Sequence, residues 1–147
     1  MNNGAAGAKM EKGEIVTIVI GLRAAAVAAA MALTASPAAA AQVHKYDEKI
    51  LAQAQAQGRP ILVDVYADWC SVCKVQHKQL SELIRDPAYA KLVVLRLNYD
   101  TQKPERRKLN VPRQSTLIAF NGRKETGRLV AVSERGAIQS LLRSTVR

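Results

Sequence analysis

The stretch "ILVDVYADWCSVCK", residues 61–74, contains the only two cysteines of the chain, Cys70 and Cys73. Its first half is a short run of β-branched and apolar residues, which predicts a buried strand over 61–67. Its second half begins a series of apolar positions at helical spacing, which predicts a helix over 70–85. The strand therefore leads directly to Cys70 at the start of a helix, and Cys73 follows one helical turn later.

A cysteine at the start of a helix lies near unpaired backbone N–H groups and the positive end of the helix dipole. Both favour the thiolate, which is the nucleophilic form of the side chain. We expect an exposed Cys70 to attack a disulfide, and Cys73 to resolve the mixed disulfide by bonding to Cys70. The spacing alone leaves two alternatives open, half of a metal site and two inert core thiols.

The remainder of the domain alternates between helices and strands. The predicted elements are helices over 46–57, 103–110 and 134–146 and strands over 92–99, 115–120 and 126–132. Asn121–Gly122, between the last two strands, is typical of a tight hairpin. This order predicts an α/β domain with a mostly parallel sheet, helices on both faces and an antiparallel edge formed by the final hairpin.

Asp64 is out of place in an apolar strand. A carboxylate buried on both sides of a sheet costs several kcal/mol unless it is paired or neutral. It is either a carboxylate at the sheet edge paired with a cation or a buried proton acceptor behind the cysteines. Arg96, in the strand predicted over 92–99, is either its ion-pair partner or a side chain that points to solvent.

Residues 1–41 differ in composition from the rest of the chain. A segment with three basic residues precedes the alanine-rich stretch 24–35, and an Ala-x-Ala site follows. This pattern predicts a secretory signal peptide over 1–41 and a periplasmic domain after it. The alternative is a retained membrane anchor over 15–35, which Arg23 in the middle disfavours.

The predicted domain, residues 42–147, carries most of the positive charge. It has 19 basic and 10 acidic residues, a net charge of +9. In an exported protein we expect this charge to favour acidic partners or anionic lipid surfaces. We expect no nucleic-acid partner.

The stretch 61–74 resembles the active-site strand and helix of the thioredoxin superfamily. It is especially similar to the C-terminal periplasmic domain of the bacterial transmembrane disulfide reductase. "LRLNYD" (95–100) resembles the next strand of the family, and "LNVPRQSTLIAFNGRKETGR" (109–128) resembles its substrate-loop strand and hairpin. The resemblance covers 42–147 and implies a thioredoxin fold, with a central mixed sheet flanked by helices that ends in an antiparallel hairpin and a C-terminal helix.

The resemblance also implies roles for individual residues. Cys70 matches the attacking cysteine of the family and Cys73 the resolving one. Asp64 matches the buried acid that manages the proton of the resolving thiol. Trp69 matches the indole that shields the site, and Arg96 falls where thioredoxins carry a lysine near that acid.

Gln114, Ser115 and Thr116 match the loop that faces the attacking sulfur and binds substrate peptide. Ser115 stands where the family has a cis-proline. Because a cis bond before a non-proline residue costs about 2.5–4 kcal/mol, we expect a trans bond here. A hydroxyl at this position would donate to the Cys70 thiolate and lower the pKa of that thiol. This hypothesis predicts that Ser115→Pro raises the pKa of the Cys70 thiol.

Three further positions differ from the usual thioredoxin pattern. Ser71 and Val72 replace the Gly-Pro between the cysteines, and they are expected to tune the helix start and the stability of the thiolate. The redox potential of typical thioredoxins therefore does not carry over to this chain. Ala131 falls where a glycine is usual in the last strand.

The sequence therefore predicts an exported thiol–disulfide oxidoreductase, a reductase rather than an oxidase, with no cofactor. We expect a monomer that acts on protein thiols and disulfides and receives electrons from a membrane or soluble donor. One alternative is a metal or iron–sulfur site that uses both cysteines and His77, although a structural zinc site needs about four ligands. Another is a docking module with inert cysteines.

Overall fold

The structure is a computed structural model that describes residues 40–146. The predicted signal peptide therefore lies, except for its last two residues, outside the described residues. The elements in chain order are β1 (Gln42–Lys45), α1 (Glu48–Ala56), β2 (Pro60–Tyr66), α2 (Ser71–Leu83), a 3-10 turn (Pro87–Tyr89), β3 (Val93–Asn98), α3 (Lys103–Lys108), β4 (Thr116–Asn121), β5 (Lys124–Val130) and α4 (Arg135–Ser144). Within residues 40–146, no helix is both long and apolar enough to cross a membrane.

The strands form one five-stranded mixed sheet in the order β1-β3-β2-β4-β5. β1 and β2 run parallel to β3, while β4 runs antiparallel to both β2 and β5. The predicted hairpin is confirmed. Its turn requires glycine at Gly122, because φ is 56° there and an added Cβ would lie 3.3 Å from the Cα of Gly58.

Sequence analysis missed β1. All four of its residues are exposed, and the strand pairs through its backbone with β3, Gln42 opposite Val93. The apolar patterns that predict strands reflect burial of side chains, so a strand at an exposed edge leaves little trace in the sequence.

Apolar side chains of β2 alternate between two cores. Ile61, Val63 and Val65 belong to one core, and Leu62 belongs to the core packed against α2 and α4. Successive residues of a strand point to opposite faces, so Asp64 shares the face of Leu62. The sheet thereby directs the one carboxylate of β2 toward the side of α2.

The predicted helices are all present, with shifted ends. α1 begins after Asp47, whose side chain accepts a hydrogen bond from the Lys49 N–H at 2.7 Å. α3 ends two residues earlier than predicted and is followed by Asn110 in a left-handed conformation, with φ 52°. These ends depend on caps and turns rather than on apolar periodicity.

Candidate active site

Cys70 is the N-cap residue of α2. Its backbone is extended, and its sulfur accepts a hydrogen bond from the Cys73 N–H at 3.1 Å. The two cysteines form a disulfide, with their Cα atoms 5.3 Å apart. The predicted arrangement, a cysteine pair at a strand-to-helix junction, is confirmed. The N–H groups at the start of α2 stabilise negative charge that develops on Cys70 Sγ.

The expectation that Cys70 is exposed is wrong for this disulfide form. Cys70 is 4% exposed and Cys73 is 5% exposed. Both pack in a small cluster with Ala67, and the half-buried Tyr66 and Val72 pack against that cluster. The difference in access that was expected to distinguish an attacking from a resolving cysteine is therefore absent here.

Ser115 lies against the disulfide. Its hydroxyl oxygen is 3.1 Å from Cys70 Sγ and 3.0 Å from Cys73 Sγ. The sequence suggested a contact with Cys70 alone, so the second contact is an addition. Every peptide bond within residues 40–146 is trans, as expected for the bond before Ser115. Ser115 itself is buried and adopts the left-handed region, with φ 59°.

The neighbours of Ser115 stabilise this conformation. Its carbonyl oxygen accepts a hydrogen bond from the Ala131 N–H at 2.9 Å. Ala131 has φ 57°, which explains why a glycine suits its position. Thr116 is buried and donates from its hydroxyl to the Arg113 carbonyl at 2.7 Å, while Gln114 is half-buried. The predicted substrate loop therefore presents Ser115 to the sulfurs.

Asp64 is 2% exposed, and Arg96 Nε donates to its Oδ2 at 3.2 Å. Of the two alternatives that the sequence left open for Arg96, the structure shows the ion pair with Asp64. The guanidinium also lies over the Tyr66 ring, 4.2 Å from the centroid. Burial raises the pKa of the Asp64 carboxyl above its usual value, and the Arg96 charge and hydrogen bond, with a smaller effect of His77, oppose that rise only in part.

Among the hydrogen bonds of residues 40–146, none joins Asp64 to Cys70 or Cys73. Cys73 lines a cavity of about 240 Å³, and Asp64 lines a smaller one of about 70 Å³. Arg96 and His77 line both cavities. Cys73 and Asp64 therefore face different cavities that share these two lining side chains.

Two of the remaining predicted residues form the rim of the site. Trp69 is 64% exposed, and its Nε1 donates to Asp100 Oδ2 at 2.9 Å, which fixes the ring beside Cys70. Ser71 is exposed at the first position of α2. The exposed indole of Trp69 and the exposed side chain of Ser71 therefore border the buried cysteine pair.

The metal alternative gains no support from the described part of the chain. Residues 40–146 contain no group of three or more His, Cys, Asp or Glu side chains placed to hold a metal ion. His77 is exposed on α2.

Sequence analysis missed Gln76. It is fully buried on α2 and donates hydrogen bonds to two backbone carbonyls of the site, those of Ser115 and Val132. A signal was available, because the buried face of α2 runs through Cys73, Gln76, Leu80 and Leu83 at helical spacing. A polar residue on that face is as unusual as Asp64 in β2.

The cysteine pair at the start of α2, on this five-stranded sheet, defines a thioredoxin-like disulfide oxidoreductase. The family model for thioredoxin matches residues 38–144, and the chain belongs to the thioredoxin family. The resemblance inferred from the sequence is thereby confirmed.

Individual relatives agree with this assignment. Trxlp from Edwardsiella tarda EIB202 is 42% identical, with a TM-score of 0.67 over 69% of this chain and 98% of that chain. The bifunctional thioredoxin reductase/thioredoxin of Mycobacterium leprae (strain TN) is 28% identical over 107 residues, 73% of this chain. Thiol:disulfide interchange protein DsbD of Escherichia coli (strain K12) is 33% identical over 86 residues, 55% of this chain. The chain spans 23% and 15%, respectively, of the lengths of these two curated relatives.

Proposed function

We propose that the protein is an exported thiol–disulfide oxidoreductase that reduces disulfides of other proteins, with Cys70 as the attacking residue. The observation that carries this proposal is the environment of Cys70 Sγ. The Cys73 N–H and the Ser115 hydroxyl both lie 3.1 Å from it. Hydrogen bonds to an ionised sulfur are stronger than those to a neutral one, so this environment favours the thiolate.

The reaction begins from the reduced pair. The Cys70 thiolate attacks one sulfur of a substrate disulfide, and the other substrate sulfur leaves as a thiolate. Cys73 then loses its proton and attacks Cys70 Sγ, which forms the disulfide seen here and releases the second substrate sulfur. Two electrons pass to the substrate. A dithiol donor, membrane-bound or soluble, reduces the pair again.

Asp64 is the proposed acceptor of the Cys73 proton. Its raised pKa makes it a better base than an ordinary aspartate. Arg96 limits the rise, so the carboxyl can still ionise. Because Asp64 does not touch Cys73 in the disulfide form, we expect the transfer to occur after the pair has been reduced and the site has adjusted.

The proposed location and direction rest on the sequence. Residues 1–41 have the composition of a signal peptide, and the active-site stretch resembles reducing periplasmic thioredoxins. Fusion of residues 1–41 to an alkaline phosphatase reporter tests export, since that enzyme is active only outside the cytoplasm. A cytoplasmic, inactive fusion would contradict the proposed location.

Turbidity from insulin reduction by dithiothreitol tests the activity. Cys70→Ser should abolish the acceleration, whereas Lys78→Ala, at an exposed position of the same helix, should keep most of it. Cys73→Ser should trap mixed disulfides with substrate, visible by non-reducing electrophoresis. Full turnover by Cys70→Ser would refute the assignment.

Equilibration with glutathione tests the direction. A potential near about −270 mV indicates a reductant, and one near about −120 mV indicates an oxidant. We expect a potential closer to the reducing value of about −270 mV.

A further inference from the structure

A buried amide connects the two backbone segments that pass behind the cysteines. Gln76 lies in the middle of α2 and is fully buried. Its Nε2 donates to the Ser115 carbonyl at 3.2 Å and to the Val132 carbonyl at 2.6 Å. One side chain thus bonds both to the substrate-loop strand and to the segment that follows β5.

These two segments are the least regular backbone near the site. Ser115 has φ 59° and Ala131, just before Val132, has φ 57°. A residue with a side chain pays roughly 1–2 kcal/mol for the left-handed region, so both conformations need support from their surroundings. The Ala131 N–H donates to the same Ser115 carbonyl that Gln76 contacts. The amide of Gln76 and the Ala131 N–H therefore both fix the position of the Ser115 carbonyl.

We infer that Gln76 is a positioning residue, which fixes the Ser115 hydroxyl between the two sulfurs and so sets the reactivity of Cys70 without touching it. This inference rests on the proposed attack by Cys70. Because Ser115 Oγ is 3.1 Å from Cys70 Sγ and 3.0 Å from Cys73 Sγ, a small rotation of the Ser115 backbone would break one or both contacts.

Apart from its two hydrogen bonds to backbone carbonyls, the buried amide of Gln76 does not stabilise the fold. Gln76 Oε1 accepts no hydrogen bond from any of residues 40–146, and a buried unsatisfied acceptor costs about 1–3 kcal/mol. The neighbours on the buried face of α2 include Leu80 and Leu83, so an apolar side chain of the same size would suit this face. The two bonds from Nε2 are what an apolar replacement would lose.

The test is a double-mutant cycle with Gln76→Met and Ser115→Ala. Methionine has nearly the length of glutamine but no donor. The readout is the rate at which iodoacetamide alkylates Cys70 in the fully reduced protein across pH, with the site identified by peptide mass spectrometry. We expect each single variant to slow alkylation about three- to tenfold at neutral pH, as the loss of one hydrogen bond implies. The double variant should be no slower than Ser115→Ala.

Gln79→Met is the matched control. Gln79 lies on the same helix, where its Oε1 accepts from Arg135 at the surface, and its replacement should leave the alkylation rate unchanged. A folded Gln76→Met with the wild-type rate would overturn the inference, as would a double variant slowed by the product of the two single effects.

Gln76→Glu provides the test if Gln76→Met does not fold. A protonated carboxyl has one donor, so it can bond only one of the two carbonyls. We expect a rate below that of the wild type, and a wild-type rate at every pH would overturn the inference. Failure of the proposed function is distinguishable, because insulin reduction could be absent in the wild type while the alkylation cycle still shows coupling.

Discussion

Replacing Asp64 by asparagine should stabilise the protein at neutral and alkaline pH. Asparagine has nearly the same shape, remains neutral and can still accept a hydrogen bond from Arg96. Asp64 is 2% exposed, whereas the side chain of its partner Arg96 is 30% exposed. Ionised Asp64 therefore loses nearly all of its hydration and gains one partly solvated cation.

The magnitude follows from two opposing effects. At the observed 3.2 Å and an effective dielectric constant of about 20, attraction to Arg96 is roughly 5 kcal/mol. Burial of the carboxylate costs more than this, because the pKa of Asp64 is raised despite the ion pair. The net destabilisation by ionised Asp64 is the small difference between the cost of burying the carboxylate and its attraction to Arg96. We expect Asp64→Asn to add about 1–3 kcal/mol to the free energy of unfolding.

The pH dependence tests the cause. Well below pH 3.8, the usual pKa of the group, Asp64 is protonated in both states and the two proteins should be nearly equally stable. As pH rises above that value, the unfolded wild type ionises first, so its folded state loses stability until Asp64 also ionises there. The advantage of Asp64→Asn should therefore grow with pH and then level off. Urea unfolding at several pH values between 3.5 and 8, followed by circular dichroism, would show this.

Two further variants serve as controls. Asp68→Asn removes an exposed carboxylate two residues before Cys70 and should change stability by less than about 0.5 kcal/mol. Arg96→Gln should destabilise the wild type by about 2–4 kcal/mol at pH 8, because it leaves a buried charge without its partner. It should have little effect in the Asp64→Asn background. An advantage of Asp64→Asn that does not vary with pH, or a loss of stability at pH 8, would refute the reasoning.

Three other substitutions test the backbone of the fold by the same unfolding assay. Ser115→Gly should slow alkylation of Cys70 without lowering stability, because glycine adopts φ 59° without strain; a marked loss of stability would contradict this. Gly122→Ala should cost about 1–2 kcal/mol, because a Cβ would lie 3.3 Å from Gly58 Cα at a positive φ. Gly136→Ala, in α4 with no heavy atom within 4 Å of the new Cβ, should instead add about 0.5 kcal/mol; equal effects at the two glycines would contradict both.

Prediction from the sequence succeeded where burial imposes a pattern on the side chains. β2 is apolar because both of its faces are covered, and α2 has its apolar residues on one face. Those two patterns were sufficient to place Cys70 at a helix start. The exposed strand β1 carries no such pattern, since backbone hydrogen bonds to β3 are what define it.

The exposure of the cysteines was not predictable for a different reason. Cys70 Sγ is covered in part by Ser115, which is distant in sequence and places its hydroxyl 3.1 Å from that sulfur. The positive φ of Ser115 is equally invisible in the sequence, because nothing local to the residue requires it, whereas the glycine usual at the position of Ala131 was a signal for the positive φ there. Both features arise from tertiary contacts between β4, β5 and α2.

The buried polar side chains mark the site better than the motif does. Asp64 and Gln76 lie where the surrounding pattern calls for apolar residues, and both are buried, as is Ser115. Burial of a polar group is unfavourable unless it is compensated, so these three positions weaken the fold unless their hydrogen bonds form. Ser115 contacts both sulfurs, Gln76 donates a hydrogen bond to Ser115, and Asp64 is the carboxylate of β2 on the sheet face that packs against α2. The cysteine pair specifies the chemistry that the protein can perform, whereas we propose that these three residues set how readily Cys70 and Cys73 exchange protons and electrons.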